Sequence, residues 1–97
     1  MFADCVWADG WPVATDVPAR DLLSDLNSQS GSMMARFCIA RHGSARRPPP
    51  RQVPAGAPLP GAINMVFMEG HVEAVKLDNL WQMYWHRDYV PPATRPW

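Results

Sequence analysis

Eleven prolines and six glycines are spread through 97 residues, and their placement limits what the chain can fold into. Seven of them, Pro48, Pro49, Pro50, Pro54, Gly56, Pro58 and Pro60, fall within residues 44–61 ahead of Gly61. Proline lacks a backbone donor and fixes φ, so neither helix nor sheet survives that density. Residues 44–61 are therefore expected to form a Pro/Arg-rich surface loop, partly polyproline-like, within a single domain spanning residues 1–97. A chain of this size buries only about 60–65% of its unfolded surface, so the core must be thin. Five tryptophans can supply much of it.

Regular structure is left to the flanking segments. Residues 2–8 are apolar and read as a strand ended by the Asp9-Gly10 turn signal. Pro18 can open a short helix carrying Asp21, Leu22, Leu23 and Leu26, followed by a polar linker over residues 27–32. Residues 33–41 read as a second strand, with Ala35, Phe37 and Ile39 on one face and Arg36, Cys38, Ala40 and His42 on the other. Leu77, Leu80, Trp81, Tyr84 and Trp85 repeat at helical spacing, predicting a short helix over residues 79–86 capped by Asp78 or Asn79. Pro91-Pro92 stops it, and the tail over residues 91–97 should be irregular.

The clearest local signal is a β-hairpin over residues 62–77, turning at Glu69-Gly70. A two-residue turn there pairs Phe67 with Val72, Met65 with Ala74 and Ile63 with Lys76, and gathers Ile63, Met65, Phe67, Val72 and Ala74 on one apolar face. Gly70 suits the positive φ of such a turn; Glu69 does not, and can shift the turn type. The expected class is α+β: an antiparallel sheet of at least three strands with a short helix after the hairpin.

Acidic and basic residues balance at nine each, so no global field draws in nucleic acid or an anionic membrane, and no nucleic-acid partner is expected. Arg46, Arg47 and Arg51 form a local basic cluster, read as solvated loop ahead of a phosphate- or peptide-binding patch. No apolar run approaches a membrane span, and the N-terminal residues lack the pattern of an export signal. Cys5 and Cys38 fit either a disulfide or two small buried thiols.

Arg41-His42-Gly43 and the segment Asn64-Met65-Val66-Phe67-Met68-Glu69-Gly70-His71-Val72-Glu73 resemble the prepilin-type processing-associated proteins with an H-x(9)-D-G motif, a bacterial pseudopilin-like family connected with type II secretion. Leu80-Trp81 and Trp85-His86-Arg87-Asp88-Tyr89 are similar to the ends of such proteins, so the resemblance covers about residues 34–90. It implies a pseudopilin-like C-terminal domain with a structural, non-enzymatic role. Its partners would be protein, by self-assembly or with other pilin-like subunits, outside the cytoplasm or at the cell surface. This chain departs from the family pattern in carrying Glu69 for Asp, in placing 26 residues between His42 and Glu69, and in having no N-terminal assembly helix.

His42, Gly43, Glu69, Gly70 and His71 are the motif residues. If the strand carrying His42 neighbours the hairpin, its ring can latch the turn by hydrogen-bonding Glu69 or a backbone carbonyl. Two imidazoles and a carboxylate are also legitimate metal ligands, so His42, Glu69 and His71 are the metal candidates, with general acid–base chemistry the remaining alternative. No cofactor is otherwise implied. Trp7, Trp81 and Trp85 are expected in the core; Trp11 and Trp97, beside prolines, are candidates with Arg46 and Arg47 for a peptide- or glycan-binding surface.

Overall fold

The computed structural model describes residues 1–24, 32–44 and 48–97. Leu26, most of the 27–32 linker, Arg46 and Arg47 lie outside the described residues. Three antiparallel strands, β1 (Phe2–Ala3), β2 (Ala62–Val66) and β3 (Val72–Lys76), form one sheet in the order β1-β2-β3. The helical content of the described residues is two 3₁₀ segments, Met33–Arg36 and Leu77–Gln82. The molecule is thus a small antiparallel-sheet domain with little helix, and no helix of the described residues is long and apolar enough to cross a membrane.

The hairpin forms, but in a register one residue from the expected one. Val66 pairs with Val72, Asn64 with Ala74 and Ile63 with Val75. The connection is Met68-Glu69-Gly70: Phe67 N–H donates to His71 O at 3.0 Å, and Gly70 N–H donates to Phe67 O at 2.9 Å. Gly70 takes φ +93°, and no non-glycine residue among those described has positive φ. A primed two-residue turn would force Glu69 into that region; the three-residue loop leaves it to Gly70 alone. The shift reverses β3. Val75, 2% exposed, joins Ile63 and Met65 in the core, whereas Val72 is 65% exposed and Ala74 also faces outward.

The expected strand over residues 33–41 is replaced by the 3₁₀ segment Met33–Arg36 and a coiled continuation. Asp16 is the cause. Its buried carboxylate accepts the Met34 N–H at 2.9 Å and the Val13 N–H at 3.2 Å, fixing a turn where a strand would need extended backbone. Beyond it, Ile39 N–H donates to Phe37 O and Arg41 N–H to Ile39 O, so these donors are satisfied locally and not by a neighbouring strand. Phe37, Cys38, Ile39 and Ala40 are all buried, which removes the expected alternation. The short helix after Pro18 is likewise absent among the described residues. Asp21 accepts the Leu23 N–H at 2.9 Å and the Ser24 hydroxyl at 2.8 Å in an Asx turn instead.

The helix expected over residues 79–86 starts earlier and winds tighter, as the 3₁₀ segment Leu77–Gln82. Its three-residue period stacks Leu77 and Leu80 inward, with Trp81 beside them, all fully buried. No side chain caps it; Asp78 instead accepts the Leu59 N–H at 3.1 Å and pairs with Arg95. Met83 is extended, so Tyr84 turns to solvent and Trp85 comes back to pack against Phe37 in a tilted ring contact with centroids 4.7 Å apart. Trp81 centres the core, its indole N–H donating to Asp16 O at 2.7 Å and its carbonyl accepting the Tyr89 hydroxyl at 3.0 Å. Trp7, expected inside, is 55% exposed, with the Arg36 guanidinium over its ring.

Two further segments are tied down without regular structure. The described part of residues 44–61 contains no helix or strand, yet Leu59 is buried and Arg51 O accepts the Leu22 N–H. The tail is irregular but held. Arg95 pairs with Asp78, donates to Ala57 O at 2.8 Å and to Trp97 O at 2.6 Å. Both cysteines are free thiols, Cys38 wholly buried.

Candidate functional site

One edge of β2 faces β3. The other is shared by β1 at one end and by His42 at the other. Phe2 pairs with Val66 and Ala3 with Met65; His42 bridges Ala62, its N–H donating to Ala62 O at 3.0 Å and its carbonyl accepting the Ala62 N–H at 2.7 Å. The motif segment carrying His42 therefore does neighbour the hairpin. Gly61 makes the approach fit: it has φ +85°, and a Cβ there would lie 2.7 Å from His42 O.

Asp4 fills the gap between these two contacts. Its N–H donates to Asn64 O at 3.0 Å, and its Oδ2 accepts the Asn64 N–H at 3.0 Å. The same Oδ2 lies 2.9 Å from His42 Nε2, and the Asn64 side-chain amide lies 3.1 Å from that nitrogen. Asp4, His42 and Asn64 thus form a polar clasp that joins the N-terminal strand, the Arg41-His42-Gly43 segment and β2. The Asn64 backbone donor holds the Asp4 carboxyl below the usual carboxylate range; burial opposes this, and His42 and Arg41 reinforce it. Arg41 also donates to Cys5 O at 3.3 Å, adding a second tie between the two edge segments.

The expected latch of the His42 ring on the hairpin turn does not form: the ring contacts Asp4 and Asn64 and not Glu69. The hairpin separates the two expected partners: His42 sits at the open end of β2, while Glu69 and His71 sit at the turn. Four steps of strand between Ala62 and Val66 span about 13 Å. His42, Glu69 and His71 therefore do not converge, and no group of three His, Cys, Asp or Glu among the described residues is arranged to hold a metal ion. At the tip, His71 stacks flat on Phe67 with centroids 4.4 Å apart, and its two nitrogens lie 3.7 Å from Glu69 and 3.9 Å from Glu73. These exposed pairs are beyond hydrogen-bond reach and contribute little to stability.

Asp4 is the site residue that sequence reasoning missed. Its signal was faint: one acid interrupting the apolar run of residues 2–8. Asn64 stood in the motif but had no assigned role. Of the surface candidates, Trp11 is 70% exposed and Trp97 45% exposed. Arg46 and Arg47 lie outside the described residues. Comparison of the chain with family models, with curated proteins and with solved structures found no match.

Proposed function

We propose that this chain is a non-enzymatic structural module of the kind found at the C-terminal, globular end of bacterial prepilin-like (pseudopilin) proteins, working in protein assembly outside the cytoplasm or at the cell surface. The observation that supports this is the clasp. The two segments that carry the resemblance, Arg41-His42-Gly43 and the stretch beginning at Asn64, meet at one strand edge through His42 and Asn64. Their polar groups are spent on one another and on Asp4, which gives the motif a reason to exist as a fastening between chain segments.

The test is the genomic sequence upstream of the Met1 codon. The proposal expects the reading frame to continue into an apolar helix preceded by a prepilin cleavage signature, or the gene to stand beside secretion genes. Finding neither arrangement would overturn it.

A further inference from the structure

Away from the clasp, an open recess of about 300 Å³ is lined by Ala19 and Arg20, by Gln52 and Val53 of the Pro/Arg-rich loop and by Trp97 of the tail. A smaller cleft of about 150 Å³ shares Arg20 and Trp97 and is completed by Val17 and Pro18. The larger volume lies at the lower end of the range for small-molecule sites, which are apolar with a few placed polar groups. Here the apolar lining residues are Trp97, Ala19 and Val53, and the polar ones are Arg20 and Gln52.

Each wall is fixed by contacts of its own. Ala19 is buried as part of the hydrophobic core that also holds Leu22 and Cys38. Leu22 N–H donates to Arg51 O at 3.0 Å, and Arg51 pairs with Asp21, which ties the segment carrying Arg20 to the segment carrying Gln52 and Val53. Trp97 is held through Arg95, itself anchored to Asp78 and Ala57. Arg20 differs from these arginines. It is exposed, and among the described residues it has neither an ion pair nor a hydrogen-bond partner. An unpaired arginine and a tryptophan that line the same preformed recess match an anion joined to an apolar body: a guanidinium fork takes a carboxylate through two parallel bonds, and an indole takes the ring or chain.

We infer that the Arg20–Trp97 recess is a binding site for an aryl or alkyl carboxylate, the carboxylate on Arg20 and Gln52 and the apolar body against Trp97 and Val53. The same chemistry is offered by a free organic acid and by the C-terminal end of a peptide with a large apolar last residue.

The test follows the Trp97 indole N–H resonance of the intact chain, assigned by its loss in Trp97→Ala. Phenylacetate, phenylacetamide, and the peptide Gly-Gly-Phe with a free or an amidated C-terminus are titrated in turn. The expected result is a saturable shift with phenylacetate and with the free-acid peptide. Binding should weaken by about tenfold or more for either amide and for Arg20→Gln, as loss of a charge-assisted pair requires. A peptide that binds about tenfold tighter than phenylacetate assigns the site to peptide ends; comparable affinities assign it to small acids. Absence of a saturable shift up to about 10 mM of both acids would overturn the inference, as would Arg20→Gln binding with unchanged affinity. Arg20 is exposed, and unchanged resonances from the other four tryptophans of this five-tryptophan chain report that the variant is folded.

Discussion

Val72 and Val75 lie in the same five-residue strand and differ in fate because of a single-residue shift in pairing. Truncating each to alanine measures that shift. Val75 is 2% exposed and faces Ile63 and Met65, so Val75→Ala removes two buried carbons and leaves a void. At about 0.8 kcal/mol per buried methylene plus a cavity contribution, the cost is about 2–3 kcal/mol. For a domain of this length each kcal/mol moves Tm by about 4–8 °C, so a fall of at least about 8 °C is expected. Val72 is 65% exposed, and Val72→Ala should cost about 0.5 kcal/mol or less. Urea unfolding followed by circular dichroism, with thermal melts alongside, reads both values. The register built on a two-residue Glu69-Gly70 turn makes the opposite forecast, since it turns Val72 inward and Val75 out. A Val72→Ala cost equal to or above that of Val75→Ala would refute the three-residue loop.

The glycines at the two ends of the hairpin should respond differently. Gly70→Ala meets open space and costs only the conformational penalty of positive φ, about 1–2 kcal/mol, whereas Gly61→Ala also drives a Cβ into His42 O and should cost more in the same urea assay. Asp4 ties stability to pH. Its folded-state pKa is lowered, so its contribution is present above the ordinary aspartate value and is lost as pH falls through the folded value. The stability gap between wild type and Asp4→Asn should therefore hold at neutral pH and shrink as the pH falls below the ordinary aspartate value of 3.8, and a gap that stays constant there would contradict the clasp. Burial pushes the Cys38 thiol up to about 11, so in the native state at about pH 8 a thiol reagent should label Cys5 alone, with Cys38 reacting only after denaturation. Arg95→Ala should cost about 1–3 kcal/mol, because it strands the Ala57 carbonyl and unpairs Asp78; a neutral effect would show the tail to be unattached.

The hairpin was legible in the sequence because two apolar runs flank a glycine, but its register was not. Residues 62–68 are apolar at nearly every position, and the β3 segment offers Val72 and Ala74 on one face against Val75 on the other, so periodicity alone fits either pairing. Turn chemistry decided it, and the poor fit of Glu69 to positive φ was the one local clue. Residues 33–41 misled for a different reason. Their apolar character is real, but the backbone is bent by Asp16, a residue far enough upstream that no window over the segment contains it. The same distance hid the clasp, in which Asp4 meets a histidine 38 residues away and an asparagine 60 residues away. His42 could be recognised as a fastening from its motif; its partner depended on which segments shared the edge of β2.

That sharing also bears on how the chain is made. Phe2 and Ala3 pair with residues more than 60 positions downstream. At synthesis rates of about 5–20 residues per second, they wait about 3–12 s for Met65 and Val66 to appear. Closing a loop of that length carries an entropy cost that no local contact offsets beforehand. Through that interval the backbone groups of Phe2 and Ala3 have no strand to pair with, so nascent chains halted before β2 carry an unpaired strand edge of the kind that invites association.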